Sequence, residues 1–238
     1  MKRTKDNKKE LNKEIIAMNI LEYRKRINLS QERYGEKFGV NGTVIYNIEN
    51  KKNYPKILLL CKISDYENKE VYKIISNENY VVHPKIEHME ILKGIDENIC
   101  IRVLLRAICE RYKIYSFYNE EKIKGIYNKE YIYDFNSIGY MIRLFRTIKG
   151  ISLEQLSMDL NYLKETIDNA ESGSNALSIS AIYRISNYMR IPIDILLVGN
   201  LKRKKYIIDY LSFFLFNNIS YSDEIYIKKF ISAIKERD

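Results

Sequence analysis

The residues best equipped for chemistry lie in one short run, NGTVIYNIEN, residues 41–50. With Val44, Ile45 and Ile48 turned inward at helical spacing, Asn41, Thr43, Tyr46 and Asn47 fall on the outward face. A primary amide carries donor and acceptor side by side, so Asn47 can form a bidentate pair with an adenine edge. The Thr43 methyl can meet a thymine methyl, whereas Gly42 brings nothing to a base beyond close approach. Lys51, Lys52 and Asn53 follow directly and suit phosphate oxygens, contacts that position without specifying. This is the chemistry of recognition. No GxSxG, P-loop or HExxH occurs, so no enzyme activity and no cofactor are expected. His83 and His88 are the only histidines, and Glu87 and Glu90 are close by. Their spacing fits no helix-face ligand pair and supplies no fourth ligand, so no metal site is expected.

Such a face needs a mount. Gln31 to Phe38 places Tyr34 and Phe38 four apart, on one side of a short helix. Ser30 stands where its side chain caps that helix. Gly39 follows, and it enters the left-handed backbone region without steric penalty, as a tight helix–helix turn requires. Two helices of about two turns cannot bury enough surface alone, so they lean on something larger.

The corner occurs twice. A shift of 122 residues lays Leu29-Ser30-Gln31-Glu32 on Ile151-Ser152-Leu153-Glu154, and Arg24 on Arg146. It lays Gly35 on Ser157, Gly39 on Asn161, Ile45 on Ile167, Asn47 on Asn169 and Glu49 on Glu171. A basic, a small, a turn and an acidic position matching in one register indicate a duplicated unit.

Both segments resemble the Cro/cI-type (Xre-like) helix-turn-helix domain of phage repressors and bacterial regulators. The first shows Arg24, Leu29-Ser30-Gln31-Glu32, Gly35, Gly39-Val40, Ile45, Glu49 and Pro55, and departs at Lys51, where the family has Gly. The second shows Arg146, Ser152, Ser157, Ile167, Glu171 and Gly173, with Leu153 in place of the glutamine and Leu177 in place of the proline. The resemblance spans 14–76 and 136–199, a little over half the chain. It implies all-α, tandem five-helix repressor-like domains, joined and followed by helical segments. It also implies that Arg24–Glu49 and Arg146–Glu171 are partly buried ion pairs that hold each corner, and that Gln31 bonds a phosphate. Helix 3 of the first copy, about Gly42–Asn50, would lie in the major groove of double-stranded DNA, braced by the helix before it.

The second copy differs in charge. Residues 136–200 carry six basic and six acidic side chains, and helix 3, near Leu163–Ser172, exposes Lys164, Glu165, Asp168 and Asn169. Lys164, Glu165 and Asn169 remain usable contacts, since a carboxylate accepts from cytosine N4. Two carboxylates on a reading face also meet phosphate repulsion, so a second reader and a pairing or scaffolding fold stand open.

Around the two copies, residues 1–13 form a basic arm, 77–135 a helical linker and 200–238 a helical tail. The arm holds six basic side chains against two acidic ones and can follow a phosphate backbone. LKRKK at 201–205 is a second basic cluster. Pro84 pushes His83 out of helical geometry. Helices are expected over 97–117, with an apolar face at Ile99, Val103 and Ile108, and over 201–216 and 222–236, with Ser222 as N-cap of the latter.

Composition agrees with this outline. Of 238 residues 46% are apolar, and there are only 9 Gly and 3 Pro, which excludes wholesale disorder and favours helices. The net charge of +9 suits an anionic partner. That signal is diluted by a Lys, Asn, Ile and Tyr bias of the kind an AT-rich genome produces. Cys61, Cys100 and Cys109 form no CxxC pair, and their odd number suits a reducing cytoplasm. No apolar run is long enough to span a bilayer, and the charged start leads into no signal-peptide core. The expectation is a cytoplasmic, sequence-specific DNA-binding transcription regulator, a repressor more than an activator, compatible with a homodimer and a peptide or protein effector. The rival is a protein- or peptide-binding antitoxin or sensor module in which the second copy serves dimerisation or scaffolding.

Overall fold

A computed structural model of the chain describes residues 10–76, 86–115, 135–198, 201 and 204–235. Every regular element among them is a helix. The first segment runs α1 (Lys13–Arg26), α2 (Gln31–Phe38), α3 (Gly42–Glu49), α4 (Ile57–Glu67) and α5 (Val71–Ile75). After α6 (Ile86–Glu90) and α7 (Glu97–Arg111), a second set follows: α8 (Phe135–Ile148), α9 (Leu153–Leu160), α10 (Lys164–Ser172), α11 (Ile179–Met189) and α12 (Ile193–Leu196). The chain closes with α13 (Lys205–Phe216) and α14 (Tyr221–Lys235).

The boundaries follow from side chains that satisfy orphan backbone groups. Ser30 accepts from Arg33 N–H at 3.2 Å and Ser152 from Gln155 N–H at 3.0 Å, which starts α2 and α9. Gly39 and Asn161 end those helices in the left-handed region, at φ of 73° and 56°. Gly35 is small for a contact reason: a Cβ there would stand 2.5 Å from the Val40 carbonyl oxygen. Its counterpart Ser157 returns its hydroxyl to Leu153 O at 2.7 Å.

The register of 122 extends further than sequence identity. Asn68 and Arg190 both sit at φ 54°. Ser64 Oγ donates to Lys69 O, and Ser186 Oγ to Ile191 O, each at 2.6 Å. Beyond α3 and α10, Lys52 N–H donates to Asn47 O and Ser174 N–H to Asn169 O, each at 2.8 Å. Corresponding helices meet in both segments, α2 with α3 and α9 with α10, α1 with α5 and α8 with α12. The apolar core follows the same plan: Ile16, Ile20, Tyr34, Ile45 and Ile48 in the first segment, Ile138, Ile142, Leu156 and Ile167 in the second, all buried.

The described helices fall into two compact units. One contains both five-helix segments, which pack on each other through α5 and α12. The other contains α6, α7, α13 and α14, so helices placed separately in a linker and a tail share one core. The apolar face of α7 is its centre. Val103 and Ile108 are buried, Ile99 is partly buried, and α13 and α14 pack on the helix. That helix ends at Arg111, short of 117, because Lys113 turns left-handed at φ 54° and the N–H groups of Lys113 and Ile114 return to Glu110 O and Cys109 O at 3.1 and 3.0 Å. Ser222 does not cap α14. Ser220, two residues earlier, does, accepting from Asp223 N–H at 3.2 Å and donating its hydroxyl to the Asp223 carboxylate at 2.6 Å. Leu201 and Lys204 of the basic cluster are buried, and Lys205 opens α13 with its Nζ 3.7 Å from Asp209.

Candidate nucleic-acid interface

The site is built around α3. Ile45 and Ile48 are fully buried and anchor the helix to the first core, which leaves Thr43 and Tyr46 exposed and Asn47 half-exposed on the other side. Asn41 precedes the helix and caps it, its Oδ1 accepting from Val44 N–H at 3.1 Å. Gly42 is buried and not on the exposed face. Its N–H donates to Glu32 Oε2 at 2.9 Å, and a Cβ would collide with that carboxylate and stand 2.9 Å from the Glu32 backbone nitrogen. The glycine therefore draws the start of α3 onto the start of α2, and its close approach is to protein.

A basic edge lies at the far end of α3. Lys51 ion-pairs with Glu14 at 2.9 Å, in solvent. Lys52 holds its ammonium 4.8 Å from the centre of the Tyr46 ring. Lys13 donates to Lys52 O at 3.1 Å and lies 4.9 Å from the Tyr54 ring. Asn53 N–H donates to Asn47 O at 3.3 Å, and Asn50 Nδ2 to Tyr46 O at 2.8 Å. The chain thus wraps the C-terminal end of α3 and places Lys51 and Lys52 beside the exposed face.

Beneath the face lies the brace. Arg24 Nε and Nη2 bond the two Glu49 oxygens at 2.6 and 2.9 Å, and Arg24 Nη1 donates to Leu29 O at 2.8 Å. The Glu49 carboxylate holds the Arg24 guanidinium above its ordinary pKa. The second segment repeats this fork, with Arg146 to Glu171 at 2.6 and 2.7 Å and to Ile151 O at 2.9 Å. Gln31 joins the first brace, donating to Glu49 Oε2 at 2.6 Å. One of its amide hydrogens is therefore directed inward, and the remaining hydrogen and Oε1 are what it can offer a phosphate.

The equivalent face of the second segment has other chemistry. Lys164, Glu165, Asp168 and Asn169 are all exposed on α10. Leu163, where Asn41 stands in the first segment, provides no side-chain cap and is 73% exposed. Lys164 replaces Gly42 and ion-pairs with Glu154, the counterpart of Glu32; each holds the other in its charged form, raising the lysine pKa and lowering the carboxylate's.

Sequence reasoning placed α3 and its braces, and passed over three neighbours. Asn41 as a cap was signalled by its place just before an apolar-periodic run. Glu32 and Lys13 gave no comparable signal, because their partners are remote in sequence. The break at His83–Pro84 and most of the 1–13 arm lie outside the described residues, and no group of His, Cys, Asp or Glu among the described residues could hold a metal. His88 is buried, stacked 4.1 Å from the Phe216 ring and 3.1 Å from Glu224 Oε1. The three cysteines are buried and form no disulfide. No described helix is long and apolar enough to cross a membrane. Comparison with protein families, with curated proteins and with solved structures finds no match.

Proposed function

We propose that this chain is a sequence-specific double-stranded DNA-binding transcription regulator, a repressor, built from tandem helix-turn-helix domains of the Cro/cI type. The observation that carries the reading is the exposed Thr43–Tyr46–Asn47 face of α3, flanked by Lys51 and Lys52 and seated on the Arg24–Glu49–Gln31 brace. Held in a major groove, Asn47 would read adenine, and the lysines would neutralise phosphate. Affinity would then come mainly from counterion release. Repression needs only occupancy of a promoter and no further contact surface.

A salt-dependent gel shift on the gene's own upstream region tests the proposal. With roughly 6–10 phosphate contacts, binding should weaken about 10³–10⁵-fold between 50 and 200 mM salt. Asn47→Ala should reduce discrimination between sequences by about 1–3 kcal/mol while the melting curve stays unchanged. Indifference of the purified chain to all duplexes at low ionic strength would rule the reading out.

The rival, a protein- or peptide-binding module, rests on the second segment, where Met158 and Leu163 are both 73% exposed beside carboxylates. Its other support is gone, since the apolar face of α7 is occupied by the chain's own helices. Gel filtration with co-purified partners distinguishes it.

A further inference from the structure

We infer that one chain is a covalent pseudodimer that reads a single duplex site made of two inverted, unequal half-sites; this rests on the DNA-binding reading above. The argument begins at the contact between the two segments. Asp194 is 2% exposed and lies at the second position of α12; its carboxylate accepts from Tyr72 N–H at 3.1 Å and from Val71 N–H at 2.6 Å at the start of α5. Tyr72 and Asp194 are 122 residues apart, the repeat length, so they hold the same position in the two segments.

A residue touches its own counterpart either in a stacked repeat or beside a rotation axis. In a stacked repeat every helix lies along its counterpart. Here the two segments meet chiefly through α5 and α12, and neither α1 with α8 nor α4 with α11 packs in that way. A local contact between equivalent positions instead sets them beside the axis that relates the segments, the arrangement of an isologous interface when that axis is two-fold. The buried faces agree: Val71, Tyr72, Ile74 and Ile75 on α5, and Ile193, Ile195 and Leu196 on α12.

A two-fold arrangement relates α3 to α10 as the two strands of a duplex relate two inverted half-sites. A head-to-tail arrangement would instead match direct repeats. The halves are unequal because the faces are. Thr43 and Tyr46 on α3 correspond to Glu165 and Asp168 on α10, while Asn47 and Asn169 are shared. The half under α3 suits A·T pairs, and the half under α10 suits an adenine beside a cytosine whose N4 donates to Glu165.

The test is selection of the preferred duplex from a random library with the full chain, followed by native mass spectrometry and footprinting of the complex. One chain per duplex is expected, protecting two inverted half-sites that differ in sequence. Glu165→Gln should change base preference only in the half under α10, and Asn47→Ala only in the other. Two chains on a perfect palindrome, or protection of one half alone, would overturn the inference and leave the DNA-binding reading standing. Retention of no duplex at low salt would overturn both.

Discussion

Gln31 donates its side-chain amide to Glu49 at 2.6 Å, which ties the first residue of α2 to the last residue of α3. The carboxylate that completes the brace with Arg24 therefore also orients the residue expected to meet phosphate. Glu49 and Arg24 are both largely buried, their side chains 4% and 14% exposed. Glu49→Ala would leave a buried guanidinium without its partner and should cost about 3 kcal/mol in urea or thermal unfolding. Glu171→Ala should behave alike, because the Arg146 fork has the same geometry. An unaltered melting curve for both would contradict the brace.

Gln31→Leu removes both bonds of this side chain, and stability and binding then report on them separately. Leucine already occupies the equivalent position 153, so the fold should tolerate it. Loss of a hydrogen bond to phosphate should weaken DNA binding by about 1.5–3 kcal/mol at every sequence, with the ranking of sequences unchanged. Fluorescence anisotropy on preferred and scrambled duplexes measures both quantities.

Lys51 adopts φ of 61°, where its counterpart Gly173 sits at 78°. A non-glycine residue there bears roughly 1–2 kcal/mol of steric cost, and its exposed pair with Glu14 recovers little. Lys51→Gly should therefore stabilise the fold, by roughly 0.5–1 kcal/mol after the greater chain entropy of glycine is counted. The same change should make the dependence of log affinity on log salt shallower by about 1. Stability up and binding down in one variant would show a strained residue kept for its charge. A fall in stability would sink the idea.

Asp194 makes the contact between segments sensitive to pH. Burial pushes its carboxyl up to about 6, overriding the Val71 and Tyr72 N–H groups that favour the charged form, and nearby Glu70 adds to the rise. The unfolded chain releases this proton near pH 4. Between about pH 4 and 6 the folded chain holds more protons than the unfolded one, so stability should fall as pH rises through that window, then level off. Across that window the change in stability should be on the order of 3 kcal/mol. In Asp194→Asn this component of the slope should vanish. Denaturant unfolding at a series of pH values, wild type against variant, measures the difference, and identical slopes would refute it.

Local chemistry made much of the first unit readable in advance. Ser30 and Ser152 as caps, Gly39 and Asn161 as left-handed turns and the apolar spacing of α3 depend on neighbours within a few residues, and a linear sequence displays those directly. The Arg24–Glu49 and Arg146–Glu171 pairs, each 25 residues apart, were legible through the resemblance and its repetition. Gly42 was legible as a special residue, but its partner Glu32 was not, and the position turned out to be packed against protein.

What the chain alone determined is an all-helical protein with a helical corner that occurs twice, because caps, turns and helical periodicity are encoded over a few residues. Only tertiary structure decided which helices share a core, that α7 spends its apolar face on α13 and α14, and that Asp194 meets Tyr72 across the repeat. Those outcomes depend on side chains more than a hundred residues apart competing for the same buried surface. No local signal ranks the competitors, because burying apolar area is favourable whichever partner supplies it.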